Sequence, residues 1–517
     1  MSAFELVSPE SLGIRSRDIL EFLTRERDAG IELHSFMIIR RGKIAAEGWY
    51  SPYRREARHI LFSFSKTLTA IAVGFAVSEG LLSLDERIVS IFPEECPEEI
   101  SENLALVDIE SLLTMNSGQA EEISGEEINS FGGNFVRAFL AHDFPAKPGS
   151  LYQYNTRGTD LLCAALMKKT GQNLTEYLMP RFFQPLDIDP FCFCMEDRIV
   201  KEGAPYGKVS GGGWGFCLTT EDMAKIAWFL NRRGNWEGRQ LLSEDWCIKA
   251  ASKRVESVSS VYQPVTLNWQ QGYGYQCWMN ALPGSFRADG AYGQFGYVIP
   301  DKDAVIVMTA AAVNTERQLE ILEETVARRM SDEAFPENQE DLKALREMTD
   351  QLRLQGLWGI RQMWTERELE GKSYLFEEAP VSFEEFLGGE GHYVRSGYRL
   401  RKLELHFTET LLEISIEEED PSSEGEIRQS LSCGMDGDYR YSLLSDGEYA
   451  ASGRFFSQNS MELEVRCPFA AGGTRLILTF DGQNLEIRAG STIPEEGGIT
   501  EREIRLLRGR REPEREQ

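Results

Sequence analysis

From Phe62 to Val77 the chain reads Phe-Ser-Phe-Ser-Lys-Thr-Leu-Thr-Ala-Ile-Ala-Val-Gly-Phe-Ala-Val, with Lys66 as its single charge, and then meets Ser78-Glu79-Gly80. An apolar run of this length is too short to cross a membrane and suits a helix buried on most sides. Residues three apart share a helix face, so Ser63 and Lys66 are expected to point into one cavity at the helix N-terminus. There the helix dipole and burial both disfavour an ammonium, which makes Lys66 a candidate neutral base for a Ser63 nucleophile. A bare Ser-x-x-Lys also arises by chance in long chains, so the rest of the sequence has to supply the partners.

The 517 residues carry a formal charge of −28. An acidic surface of this kind argues against nucleic acid or an anionic membrane as partner and fits a small-molecule substrate. The first residues lack a basic region followed by an apolar one, and no later stretch reaches transmembrane length, so a cytoplasmic location is expected. Nine cysteines without framework spacing read as reduced thiols. Cys192-Phe193-Cys194 has no second cysteine pair to complete a zinc site, so neither a metal nor another cofactor is expected. His34 and His59 sit in no motif and read as structural.

Along the chain, a helix is predicted from Ser16 to Ala29, followed by a hairpin of His34 to Ile39 and Ile44 to Tyr50. Glycine and capping signals place short helices at Ile109 to Ser117 and Asp160 to Thr170, and another from Thr219 to Phe229. From Gly80 to about Tyr262 the reading is mainly helical. Strands return at Tyr273 to Trp278, Phe286 to Gly290, Gly293 to Pro300 and Ala304 to Ala310, and a helix from Glu316 to Met330 closes the unit. Strands at both ends of this segment predict an antiparallel sheet completed by the two ends.

Five signatures occur in order: Ser63-Phe64-Ser65-Lys66; Leu112-Leu113-Thr114-Met115-Asn116-Ser117-Gly118; Pro148-Gly149 with Tyr154-Asn155-Thr156; Gly211-Gly212-Gly213; and Ala288-Asp289-Gly290 with Gly293-Gln294. In this pattern residues 1–330 resemble the serine β-lactamase and penicillin-binding-protein superfamily, most of all class C β-lactamases, DD-peptidases and related esterases. The resemblance implies an α/β domain, with an antiparallel sheet flanked by helices and a separate helical region. It further implies Ser63 as nucleophile, Lys66 or the Tyr154 phenolate as base, Tyr154 as proton shuttle, and an oxyanion hole made by the backbone N–H groups of Ser63 and Ala291. Thr156, Gly212, Ala288, Asp289 and Gly290 fall at substrate-binding positions, Gly290 allowing close backbone approach.

Two departures bear on the substrate. The triplet opens with Ala288 where the family carries Lys or His, and Arg287, one residue earlier on a strand, is expected to face the other side of the sheet. Losing one charge-assisted hydrogen bond costs about 1.5–3 kcal/mol, so substrates with a free carboxylate are disfavoured. Thr156 replaces the family's Asn and offers no amide fork. The expected activity is therefore hydrolysis of a small ester or amide through an acyl-enzyme. The alternatives are a β-lactamase or D-Ala-D-Ala carboxypeptidase, and a binding or assembly protein with little or no turnover.

Beyond residue 330 the expected plan is an acidic, partly helical linker over residues 331–355, an all-β domain over 356–507 and a charged tail over 508–517. Alternation at Leu403, Leu405 and Phe407, at Leu412, Ile414 and Ile416, and from Met461 to Cys467 predicts a sandwich or small barrel.

Overall fold

The computed structural model describes residues 3–264, 266–377, 381–387, 397–420, 425–493 and 505–512. The chain divides into two compact units, Met1–Trp49 with Arg58–Leu352 and Tyr50–Ala57 with Arg353–Gln517.

The first unit is built on a seven-stranded sheet in the order Glu5–Leu6, Lys43–Trp49, Leu33–Arg40, Ala304–Ala310, Gln294–Ile299, Phe286–Gly290 and Trp278–Met279. The strand after the first helix therefore pairs with a strand some 270 residues later, Met37 opposite Val307 and Ile39 opposite Val305. Both strands are buried along their whole length, which is why they read as apolar runs. The hairpin turn falls at Arg41 and Gly42, both with positive φ, as a two-residue connection between twisted strands requires. His34 and His59 are buried and lie against each other, Nδ1 to Nε2 at 3.0 Å. Desolvation and the neighbouring ring hold His59 at about 3, so it is neutral.

The segment between the strands is helical, with Ser65–Ser78, Thr156–Thr170 and Thr220–Asn231 its longest helices. Ser65–Ser78 is buried from Ser65 to Ala76 and ends where Glu79 caps it and Gly80 turns left-handed. Thr219 and Asp222 form the capping box that starts Thr220–Asn231. The helix expected from Asp160 begins four residues earlier, at Thr156, because Asn155 accepts the Gly158 N–H at 3.0 Å as its N-cap. The strand expected at Tyr273 to Trp278 shrinks to Trp278–Met279, since Gln276 takes a positive φ that breaks the ladder.

Three of the sequence boundaries are corrected. Residues 331–352 belong to the first unit: the helix there spans Gln339–Asp350, packs on Ser16–Asp28, and buries Leu342 and Leu345. Its acidic residues are the solvent side of an amphipathic helix, which composition alone reads as a linker. Tyr50–Ala57 leaves the first unit and joins the second, where the Tyr53 hydroxyl donates to the Ala470 carbonyl at 3.4 Å and Arg54 pairs with Glu448 at 2.6 Å. The proposed tail begins as a strand, Arg505–Arg511, paired with Asn484–Ser491 and Lys372–Leu375. Leu507 is buried in it and Gly509 lies under the Phe376 ring, while Arg508 and Arg510 alternate outward. Residues 513–517 lie outside the described residues.

In the second unit, strands pair in the order Glu426–Gly434, Leu411–Glu419, Arg399–Phe407, Lys372–Leu375, Arg505–Arg511, Asn484–Ser491, Gly473–Asp481, Ser460–Arg466 and Gly447–Ser457. The last returns to the first through Cys433 opposite Ala451 and Gly434 opposite Ser452, closing a nine-strand barrel, with Arg440–Leu444 added on Gly447–Ser457. Closure removes the open edges a sandwich would leave. The alternating Leu403, Leu405, Ile414, Ile416, Leu463 and Val465 fill its interior.

Candidate active site

Ser63 sits on a single 3-10 turn, Phe62–Phe64, immediately ahead of the helix that carries Lys66. Phe62 enters this turn with φ 46°, a left-handed conformation that is costly for a bulky residue and turns the chain sharply just before Ser63. Ser63 stays half-exposed while Lys66 is buried to 1%. The Ser63 hydroxyl can thus be reached from outside and the Lys66 amine cannot.

Lys66 Nζ lies 2.9 Å from Ser63 Oγ and donates to the Gly213 carbonyl at 2.6 Å. Burial pulls its pKa down from 10.5 to about 8, against the opposing pull of Glu122, Asp160 and Asp289. The Tyr154 ring lies 4.9 Å from the same nitrogen, and the Tyr154 side chain stands beside Ser63. Burial drives the Tyr154 pKa well above 10, with Asp289, Tyr262 and Glu122 adding to the rise. Tyr154 is therefore a phenol at neutral pH, and of the two candidate bases only Lys66 is near its charge transition there.

Tyr154 is held from three directions. The Leu112 to Gly118 signature supports its loop: the Met115 carbonyl accepts the Gln153 N–H and the Asn116 carbonyl the Gly149 N–H, both at 2.9 Å. Asn155 follows as helix cap and donates to Gln119 Oε1 at 2.7 Å. Around the ring stand Trp278 and Tyr262, both stacked, and Tyr273 edge-on, with centroids 5.6, 6.4 and 6.2 Å away. This aromatic wall was not legible in the sequence, because its members come from separate segments without a common spacing.

On the other side, the strand Phe286–Gly290 brings its end to Ser63. A Cβ on Gly290 would lie 2.1 Å from the Leu61 carbonyl oxygen, so only glycine lets the strand approach the serine turn. The Tyr292 ring meets Phe62 edge-on at 5.5 Å. The neighbouring strand pairs only with Phe286 and Arg287, and its register stops there. Ala291 is exposed directly after this edge, at the position assigned to the second oxyanion donor.

Ala288 and Gly212 are both enclosed by their neighbours. Ala288 is buried to 2% on the face that packs near Gly296 and Phe64, since alternate strand residues point to opposite sides. Gly212 is buried too: a Cβ there would collide with Cys163, Thr69 and Leu174, and its carbonyl accepts Thr69 Oγ1 at 3.0 Å. The three glycines of Gly211 to Gly213 have no positive φ; each is small because a neighbour is pressed against it. Thr156 donates its backbone N–H to Glu122 Oε2 at 2.8 Å, and its methyl group abuts Gly213.

Asp289 shares a face with Arg287, and the two form an ion pair at 2.7 Å. Arg287 is fully buried, also donating to Asn280 Oδ1 at 2.8 Å and to the Asn268 carbonyl at 3.2 Å, with its guanidinium 4.6 Å from the Trp269 ring. The Asp289 carboxylate is thus matched by Arg287, which lies on the opposite face from Ala288 as expected.

The family described as Beta-lactamase matches residues 23–328, well over half of the chain. The chain belongs to the Beta-lactamase family. Among curated relatives, the 6-aminohexanoate-dimer hydrolase of Paenarthrobacter ureafaciens is 22% identical over 289 residues, 53% of this chain and 71% of that protein. Protein flp of Staphylococcus aureus (strain MW2) is 23% identical over 182 residues, 33% of this chain and only 36% of its own length. Among solved structures, EstCE1, a hydrolase with promiscuous acyltransferase activity, aligns with a TM-score of 0.49 and 17% identity, over 61% of this chain and 98% of that one. In this Beta-lactamase-family chain, Glu122, Arg157 and Asp160 are the charged groups of the site that sequence reading missed. Arg157 and Asp160 carried one faint signal, opposite charges three apart on the first turn of an otherwise apolar helix. Among the described residues no helix is long and apolar enough to cross a membrane.

Proposed function

We propose that this Beta-lactamase-family protein is a serine hydrolase that opens a small ester or amide through an acyl-enzyme on Ser63. The observation that carries the reading is the buried Lys66 amine 2.9 Å from the half-exposed Ser63 hydroxyl, with the Tyr154 phenol beside them. In the neutral form Lys66 accepts the Ser63 proton as Oγ bonds to the substrate carbonyl carbon. The resulting oxyanion is received by the backbone N–H groups of Ser63 and Ala291. As the bond to the leaving alcohol or amine breaks, the proton passes from Lys66, by way of the Tyr154 hydroxyl, to the leaving atom. Water then attacks the ester carbonyl, giving its proton back along the same route and returning Ser63 to its hydroxyl.

The missing cation at Ala288 and the commitment of Arg287 to Asp289 favour substrates without a free carboxylate over β-lactams or D-alanyl peptides. The name of the 6-aminohexanoate-dimer hydrolase is consistent with hydrolysis within the family. Nine cysteines without a disulfide among them suit a reducing compartment such as the cytoplasm. The test is intact-mass spectrometry after exposure to a fluorophosphonate, with turnover of p-nitrophenyl esters, D-amino amides and nitrocefin. A single adduct on wild type, none on Ser63→Ala, and ester or amide turnover above that of nitrocefin are expected. Absence of both adduct and turnover refutes the proposal, and preferred nitrocefin turnover moves it to a β-lactamase.

A further inference from the structure

Asp160 lies in the first turns of the Thr156–Thr170 helix, fully buried beside Leu161, Leu162 and Cys163. A carboxylate in such surroundings is costly and persists only where its oxygens are matched. Here one oxygen pairs with Arg157 and the other accepts the Gly213 N–H at 3.1 Å. Gly213 offers its carbonyl to Lys66 at 2.6 Å. Arg157, Asp160, Gly213, Lys66 and Ser63 therefore form one continuous chain of contacts. Gly213 admits no side chain within it, since a Cβ would lie 2.6 Å from the Thr156 methyl and 3.0 Å from Asp160 Oδ1.

We propose that Asp160, secured by Arg157, is a positioning residue for the base, fixing the Gly213 carbonyl so that the Lys66 lone pair faces Ser63. The inference rests on the Ser63–Lys66 mechanism proposed above. A neutral amine has two N–H bonds and one lone pair. When one N–H is tied to the Gly213 carbonyl, the tetrahedral nitrogen can aim its lone pair at Ser63 Oγ. When that carbonyl drifts, the amine can instead donate to Ser63, which blocks proton transfer. The arrangement also sets the charge around the base: Glu122, Asp160 and Asp289 favour the ammonium, Arg157 opposes it, and the uncharged Tyr154 completes the surroundings.

The test is the pH profile of kcat/KM for an activated ester with wild type, Asp160→Asn and Arg157→Gln, because the acid limb reports deprotonation of the base in the free enzyme. Asp160→Asn is expected to lower the plateau at least tenfold and move the acid limb to lower pH. Arg157→Gln is expected to move it to higher pH, by about half a unit or more in each case. Shifts of opposite sign do not arise from general loosening of the fold. Unmoved limbs, or limbs moved the same way, overturn the positioning role while leaving the Ser63 mechanism standing. If Asp160→Asn does not fold, Arg157→Gln decides alone, an upward shift supporting the role and no shift refuting it. An inactive wild type without a Ser63 adduct refutes the underlying mechanism instead.

Discussion

The depressed pKa of Lys66 can be read from stability without knowing a substrate. Folding transfers this amine from water, where it titrates near 10.5, to a buried site where it titrates at about 8. Below pH 8 the folded state therefore bears the full cost of a buried ammonium, and between pH 8 and 10.5 the unfolded chain holds the proton that the folded one has released. The sign follows from linkage: stability rises with pH wherever the unfolded state binds more protons. At 1.36 kcal/mol per unit the full span is about 3.4 kcal/mol, of which about 1.8 kcal/mol falls between pH 7.5 and 9.5. Lys66→Met removes the titration while keeping most of the side-chain volume. Urea unfolding of wild type and Lys66→Met across that interval should show wild type gaining on the variant by about 2 kcal/mol, whatever constant offset the lost hydrogen bonds introduce. Other ionisable groups cancel in the comparison. A difference between the two proteins that stays constant with pH, or that shrinks as wild type loses ground, refutes the neutral base.

Two further perturbations test separate parts of the structure. Gly290→Ala places a methyl 2.1 Å from the Leu61 carbonyl oxygen, so the strand must withdraw from the serine turn; kcat/KM with an activated ester should fall at least a hundredfold, and urea unfolding should show the loss of about 1–3 kcal/mol. Glu26 is buried with both carboxylate oxygens unpartnered, and desolvation raises its pKa well above 4.5, so it lowers stability as pH rises above its unfolded value. Glu26→Gln should therefore raise the unfolding free energy read from urea titration at pH 8, by about 1–3 kcal/mol, and have little effect at pH 4.

The legible parts of this chain were those in which neighbours in sequence are neighbours in space. Ser63 and Lys66 stand three residues apart on one turn, and Tyr154 is followed at once by its capping Asn155. Gly290 was readable because a backbone crossing permits no other side chain. Less legible were the groups that act from a distance. Glu122 reaches the site through the Thr156 N–H and the Arg157 guanidinium, the wall beside Tyr154 joins Tyr262 to Trp278 across two segments, and the Arg505–Arg511 strand looks like a charged tail until Leu507 and Gly509 are seen facing inward.

By itself, the sequence determined the shared face of Ser63 and Lys66, the order of the sheet's two ends and the alternation of the second unit, since each follows from short-range periodicity and turn chemistry. Tertiary structure decided which charges those groups experience. Burial, not spacing, brings Lys66 to about 8 and keeps Tyr154 a phenol; strand alternation places Arg287 on Asp289 and sends Ala288 into the core; and barrel closure claims residues that composition assigned to a tail. The physical reason is that a side chain's local geometry is set by the few residues around it in sequence, whereas desolvation and Coulomb interaction depend on every group folded against it.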